Sequence, residues 1–267
     1  MTKYDLINTV TERLTAAGFE CARFEATWLV ECGIADGEDK VLELLERRIK
    51  REPLQYILGE WEFYGLPFKV GEGVLIPRAD TETLVETALK IIKDENLQKP
   101  TVFDLCAGSG CIGITLAHLT DADVKMFEKS PKAVNYLSTN VELNKVTAEV
   151  YEYDVLGEPF SNKFADMIIS NPPYIRTEVI NTLEAEVQCE PRMALDGGEN
   201  GLLFYRHIAD RWKSALKDGG WLLFEIGFDQ ATEVTEIMQN YGYSEIRVIK
   251  DLSGNDRVVV GKLKVKL

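Results

Sequence analysis

Apolar positions in the first sixty residues recur at helical spacing. Leu6, Ile7, Val10 and Leu14 form one apolar face, Ala26, Leu29 and Cys32 a second, and Val41, Leu42, Leu45 and Ile49 a third. Gly18 and Gly33 punctuate them. The pattern then changes. "WEFYGLPFKVGEGVLIPR", residues 61–78, sets aromatic and β-branched residues around glycines, the composition of a hairpin joining two parts. "DTETLVETALKII" follows as a helix, with Asp80 or Thr81 as its cap and Glu82 in an acidic first turn. From Thr101 short strand-like runs alternate with helical patterns. "TVFDL", "DVKMFE", "AEVYEY", "ADMIIS", "WLLFEI", "SEIRVIK" and "RVVVGKL" are seven candidate strands, most of them separated by helices over 111–119, 131–144, 201–216 and 230–240. Such alternation predicts a mainly parallel sheet covered on both faces. Only the last two runs, split by "DLSGND", lack an intervening helix, so they are expected to pair as an antiparallel hairpin. The expected organisation is a small helical N-terminal domain over 1–59, a β-hairpin connector over 60–78 and a seven-stranded α/β domain over 79–267.

Composition narrows the chemistry. With 267 residues, 45% of them hydrophobic, the chain can bury a substantial core. Forty-four acidic against thirty basic side chains give a net charge of -14, which repels a polyanion and argues against stable nucleic-acid binding. The basic cluster "RRIKRE", residues 47–52, falls at a predicted helix end, where cations suit the dipole. The five cysteines show no disulfide-framework or CxxC spacing and read as reduced core thiols. Both histidines, His118 and His207, lie in apolar helical pattern without ligand spacing, so no metal is expected. No stretch approaches the roughly 20 apolar residues of a membrane span, and the start lacks the apolar core of a signal peptide. A cytoplasmic protein is the expectation.

The candidate chemistry lies at strand ends. "DLCAGSGCIG" carries Gly108, Gly110 and Gly113 in G-x-G-x-x-G order between a predicted strand and helix, with Cys106, Ala107 and Ser109 completing the loop. Glycines there allow a tight turn and close approach of a ligand to free amides at a helix start. Glu128, at the end of the next strand, can take two ribose hydroxyls. A dinucleotide enzyme shows the same two features. Asp104 separates the readings, because a carboxylate beside the loop repels a pyrophosphate. S-adenosylmethionine has no phosphate and carries an ammonium and a sulfonium, so it suits an acidic strand end. Asp154, after the third strand, can accept from an adenine amino group, and Val155 can pack on the ring. Farther along, "IISNPPYI", residues 168–175, ends an apolar run with asparagine, two prolines and tyrosine. Alone, Asn-Pro-Pro is a rigid turn.

Together these segments resemble a known family. "PLQYILGEWEFYG", "VLIPRADTETLVE", "DLCAGSGCIGI", "SNPPYI" and "EPRMALDGGENGLLFYR" occur in the order found in release-factor glutamine methyltransferases of the HemK type, and the resemblance covers most of the chain. It implies a helical substrate-recognition domain, a hairpin connector and a Rossmann-like methyltransferase sheet. It also implies S-adenosyl-L-methionine as cofactor and, as substrate, the glutamine of the Gly-Gly-Gln motif in bacterial class I peptide-chain release factors. The chain departs from the family pattern at Ala79, Glu128, Val155 and Asn200.

An amide nitrogen is a poor nucleophile, since its lone pair is delocalised into the carbonyl. Position is therefore the main catalytic device: well-oriented intramolecular reactions recover about 7–11 kcal/mol of barrier. The side-chain carbonyl of Asn171 and the backbone carbonyl of Pro172 can hold the two hydrogens of one NH₂ group. Pro172 and Pro173 stiffen the strand end, and Tyr174 can lay its ring on a flat amide or base. The same logic fits a DNA or RNA exocyclic amino group, the rival substrate class. A duplex reader, however, needs clustered basic residues and a target-recognition element. Residues 184–201, "EAEVQCEPRMALDGGENG", are the expected mobile rim over the substrate. For Phe63 and Tyr64 hairpin core packing is the expected role, with the cleft as the alternative.

Overall fold

A computed structural model describes residues 2–159 and 163–265. Helix α1 (Lys3–Ala16) starts at a reciprocal cap: Thr2 Oγ1 accepts from the Asp5 N–H at 3.1 Å, while the Asp5 carboxylate accepts from the Thr2 N–H at 3.2 Å. Helices α2 (Ala22–Gly33), α3 (Glu38–Ile49) and α4 (Leu54–Leu58) complete the helical region. Leu6, Val10, Leu14, Leu29, Val30, Val41 and Leu45 form its core. The face of α2 is rotated from the expected one, so that Val30 and Gly33 are buried and Cys32 is exposed. Cys21 and Cys189 are exposed too, and only Cys111 of the five is buried, which corrects the reading of the thiols as core residues.

The basic cluster does more than complement the end of α3. Arg47 pairs with Glu52. Arg48, buried, donates to Glu25 Oε2 at 2.6 Å, to the Glu52 carbonyl at 3.1 Å and to Glu186 Oε1 at 3.1 Å. Its guanidinium thus joins the helical region to a segment far along the chain.

Strands β1 (Glu60–Phe63) and β2 (Leu66–Lys69) pair antiparallel around Tyr64 and Gly65. Both turn residues have positive φ, 52° and 76°, as the tightest hairpin turns demand. The pairing stops at Lys69, and residues 70–78 continue without a partner strand. Phe63 and Phe68 are buried in one large core, and Tyr64 packs against its edge. Helix α5 (Glu82–Asp94) follows a short helical turn, Ala79–Thr81. Thr81 is already helical, at φ -65° and ψ -20°, and its side chain makes no cap. The expected cap residue is therefore free for another partner.

The remaining elements alternate as the periodicity predicts. They are β3 (Thr101–Leu105), α6 (Cys111–Leu119), β4 (Asp123–Glu128), α7 (Pro131–Asn144), β5 (Ala148–Glu152) and β6 (Ala165–Ser170). After them come α8 (Ala185–Gln188), α9 (Arg192–Leu195), α10 (Leu203–Arg211), β7 (Leu216–Glu225), α11 (Ala231–Asn240), β8 (Tyr243–Lys250) and β9 (Asp256–Leu263). The sheet order is β5-β4-β3-β6-β7-β9-β8. Its first five strands run parallel, while β9 enters antiparallel beside β7 and pairs with β8 as the terminal hairpin. One apolar layer includes Leu84, Ile91, Ile114, Met126 and Leu223; the other includes Phe103, Phe127, Trp212, Phe224 and Met238. A sheet with two buried faces explains why its central strands read as continuous apolar runs rather than alternating ones.

Helix α6 lies tight against this sheet at Gly113. A Cβ there would come within 2.7 Å of the Met126 side chain and 2.9 Å of Asp104 Oδ2. Gly113→Val is expected to cost about 1–3 kcal/mol through overpacking. The measurement is urea unfolding, with a lowered midpoint and an unchanged slope.

Candidate active site

Strand order reverses between β3 and β6, so the chain leaves their carboxyl ends in opposite directions and opens a crevice. Leu105 and Ser170 are register partners at that point, and the Ser170 hydroxyl donates to the Leu105 carbonyl at 2.6 Å. Beyond Leu105 the backbone turns through positive φ at Cys106 (62°), Gly108 (56°) and Gly110 (82°) before entering α6. The glycines have different duties. A Cβ at Gly110 would strike Leu137 at 2.2 Å, whereas one at Gly108 would meet nothing within 4 Å. Gly108 thus lies open for a ligand to reach its backbone.

Carboxylates hold this loop from below and from the side. Asp104 is fully buried, and its Oδ2 accepts from the Gly113 N–H at 2.9 Å. Burial pushes its pKa up to about 7 against that hydrogen bond, and the Glu128 charge adds to the rise. Glu128 receives the Gly108 N–H on Oε2 at 2.9 Å and the Ser130 N–H on Oε1 at 2.7 Å. Burial raises its pKa despite both donors. Asn140 of α7, also buried, accepts from the Lys69 N–H at 2.6 Å and donates to the carbonyls of Lys69 and Ser109 at 3.1 and 2.9 Å.

The loop, the ends of β4, β5 and β6, the connector and the rim enclose a cavity of about 250 Å³. Of the residues expected from the sequence, Cys106, Ala107, Gly108, Ser109, Glu128, Asp154, Val155, Asn171 and Pro173 line it. Asp104, Gly110, Pro172 and Tyr174 are not part of the wall. Asp104 faces inward beneath α6, so its carboxylate supports the loop instead of facing a ligand. That corrects the expectation that it meets a cationic cofactor. The Tyr174 hydroxyl turns toward Glu225 Oε1, 3.5 Å away, and its carbonyl accepts from Gln230 at 3.1 Å, so the ring does not line the cavity as a stacking platform. Phe63 and Tyr64 take the core-packing role and do not line the cavity.

Asn171 is the polar group that the end of β6 delivers to the wall. Its Nδ2 donates to Thr81 Oγ1 at 3.3 Å, which leaves Oδ1 as the acceptor available to a ligand. Thr81 in turn lies by Glu225, a carboxyl 1% exposed at the end of β7. Burial pushes the Glu225 pKa up to about 7, against the nearby Thr81 hydroxyl and the charge of Arg257.

Sequence reasoning missed much of the wall. Residues 73–78 and Thr81 line it, as do Lys129, Ser130, Tyr153, Leu203 and Phe204. The segments "VLIPRADTETLVE" and "EPRMALDGGENGLLFYR" contain several of them, but sequence reading gave these residues no place in a cavity, and it is the hairpin's exit path that brings residues 73–78 there. Segment 184–201, expected to be mobile, contains α8 and α9 and is anchored at several points. Buried Glu190 accepts from the Ile76 N–H at 3.0 Å and from the Arg78 guanidinium, and Glu186 holds Arg48. Asp196 bridges to Ile175 and accepts from the Thr177 hydroxyl at 2.6 Å. Pro191, Met193, Ala194 and Asp196 close the cavity from this side.

A glycine loop at the switch point of a seven-stranded sheet, a buried carboxylate at the end of the neighbouring strand and an antiparallel hairpin at the sheet's end are the features of a Rossmann-like methyltransferase. The solved structures it resembles share that fold: a methyltransferase from Pyrococcus furiosus superposes with a TM-score of 0.57 at 16% identity, over 76% of this chain and 91% of that one. A T. thermophilus 16S rRNA methyltransferase, solved in complex with AdoMet and guanosine, gives 0.52 at 18% identity, over 77% of this chain and 50% of that one. Residues 80–209 match the family Methyltransferase small domain. The chain is 41% identical to the release factor glutamine methyltransferase of Geobacter sulfurreducens, over 94% of this chain and 93% of that relative. Identity to the enzyme so named in Vibrio cholerae is 36% over 97% and 96%, and to that of Fusobacterium nucleatum 42% over 86% of this chain and 66% of the relative. The chain belongs to the release factor glutamine methyltransferase family.

The buried Asp104 has a measurable consequence. Its folded pKa lies near 7 against an ordinary 3.8, so between about pH 4 and 7 the folded state holds the extra proton and stability falls as pH rises. Asp104→Asn is expected to flatten that fall. Denaturant midpoints at pH 5 and 7.5 in both proteins measure it, and equal slopes would contradict the assignment.

Proposed function

We propose that the protein transfers the methyl group of S-adenosylmethionine to the side-chain amide nitrogen of the glutamine in the Gly-Gly-Gln motif of bacterial class I release factors. One observation carries the reading in a chain of this family: at the cavity wall, Asn171 is held by its NH₂ group with its carbonyl oxygen available. Such an acceptor selects an amino group.

The residues around the cavity fit the cofactor's chemistry. Amides at the start of α6 that lack an intrahelical partner can meet its carboxylate. The Glu128 carboxylate, held by backbone N–H groups, keeps acceptor capacity toward the cavity for a ribose hydroxyl. Asp154 takes the adenine amino group beside the apolar Val155. When bound, the cofactor supplies an electrophilic methyl on a sulfonium that leaves as a neutral thioether. The protein's own part is placement. Asn171 Oδ1 accepts one N–H bond of the substrate amide, which aims its nitrogen. The two prolines that follow carry no N–H that would compete for that acceptor. Pro173 and the connector exclude water from the reacting pair. As the nitrogen–carbon bond forms, the nitrogen becomes strongly acidic and yields one proton, which passes to solvent.

The helical residues 1–59 are assigned to substrate-protein recognition, and the protein acts in the cytoplasm. The acidic balance of the chain supports a protein substrate and disfavours stable binding of nucleic acid. Among the described residues no helix is long and apolar enough to cross a membrane.

The test supplies labelled methyl donor with purified release factor, the same factor with its Gly-Gly-Gln glutamine replaced, or DNA. Label is expected in the first alone; label in DNA with none in the factor overturns the reading. Asn171→Ala is expected to lower turnover at least ~100-fold, as for loss of an oriented hydrogen-bonding group at a reacting centre. Calorimetric affinity for S-adenosylmethionine should stay within about threefold of the parent.

A further inference from the structure

Thr81 and Glu225 belong to no motif of the cofactor loop or the Asn-Pro-Pro-Tyr strand end, yet both are buried, and Thr81 meets Asn171 at the cavity wall. We propose that Glu225 and Thr81 form a hydrogen-bond relay that fixes which end of the Asn171 carboxamide faces the substrate. The inference rests on the role given to Asn171 above.

The argument follows hydrogen-bond polarity along three side chains. An ionised carboxylate only accepts, and Glu225 sits at the end of β7 where water does not reach it. Its Oε2 is buried with no hydrogen-bond partner, and the neighbouring Thr81 hydroxyl, which can rotate, is the donor that would favour its charge. Thr81 has one hydrogen. Once that hydrogen is committed to Glu225, Oγ1 shows Asn171 only lone pairs. Asn171 must then answer with its NH₂ group, as the 3.3 Å contact from Nδ2 shows. Oδ1 is therefore left for the incoming amide. The opposite rotamer would set NH₂ against NH₂, donor facing donor, and hold nothing.

Several charged or titratable groups face Glu225 and bias its state. Asp80 lies on the same turn as Thr81, Tyr174 follows β6, Arg257 lies on β9, Cys111 on α6 and Tyr205 on α10. Arg257, 3.0 Å from Asp251 and 3.2 Å from Asp80, favours the carboxylate. Protonation reverses the relay. A neutral Glu225 can donate to Thr81, which releases the Thr81 hydrogen toward Asn171 and favours the flipped amide. Both residues act through Asn171 and are positioning residues.

Three variants test this in the full-length protein, with methyl transfer to release factor as the readout. Thr81→Val keeps the volume and removes the hydroxyl; it is expected to lower kcat ~10-fold or more, the loss of an interaction made in the transition state. KM for the factor and affinity for S-adenosylmethionine should stay within about threefold. Thr81→Ser restores the hydroxyl and should recover most of the rate. Glu225→Gln can turn its NH₂ to Thr81; it should lower kcat and abolish a fall in wild-type kcat as pH drops through about 7. The double variant Thr81→Val, Glu225→Gln should be no slower than Thr81→Val alone, because the two act in one relay.

Near-normal kcat in Thr81→Val overturns the relay, as does a double variant whose losses multiply, or an acidic limb that persists in Glu225→Gln. If Thr81→Val melts too early for comparison, Glu225→Gln and the serine variant decide by the same criteria. Failure of the wild type to label release factor refutes the parent reading instead, and is seen before any variant is compared.

Discussion

The site depends on the parting of β3 and β6 at their carboxyl ends. Adjacent parallel strands must send their chains away in opposite directions when the order of winding reverses, and the space between the departing segments cannot be filled by either one. Here it is floored by the Leu105–Ser170 contact and walled by the glycine loop on one side and the Asn-Pro-Pro segment on the other. Any ligand in this crevice touches both segments. Donor and acceptor of a transferred group are thereby brought together by topology before any side chain contributes.

What the side chains add is polarity. Around the loop, carboxylates accept backbone N–H groups from inside the protein, so the loop is held without closing the face that Gly108 leaves open. At the opposite wall Asn171 presents an acceptor. The price of this arrangement is charge buried where water cannot solvate it, visible in the raised pKa values of Asp104, Glu128 and Glu225.

Periodicity made most of the architecture legible. The alternation of short apolar runs with helical faces predicted the parallel sheet, and the missing helix before "RVVVGKL" predicted the terminal hairpin. That Gly108, Glu128, Asp154 and Asn171 come together in one wall was readable because each lies at or just beyond the end of a predicted strand. Three things were not. Asp104 looked like a ligand-facing carboxylate, yet the pleat turns it inward under α6. Thr81 looked like a helix cap, since Thr before an acidic first turn is a capping signal; a preceding helical turn takes it out of cap geometry and frees its hydroxyl. Segment 184–201 looked like an unsupported loop because its anchors, Arg48, Ile76 and Arg78, are more than a hundred residues away in sequence.

Asn140 links parts of the chain that have no reason to move together. One carboxamide grips both backbone groups of Lys69 at the end of the hairpin and the carbonyl of Ser109 in the glycine loop. The edge of β2 therefore travels with the turn that enters α6. A tug on the helical region, whose chain runs straight into that hairpin, arrives at the loop as displacement with little slack, like a lever on a common pivot. Engagement of a large partner at one end can in this way tighten or loosen the grip on a small molecule at the other, with no rearrangement of the sheet between them.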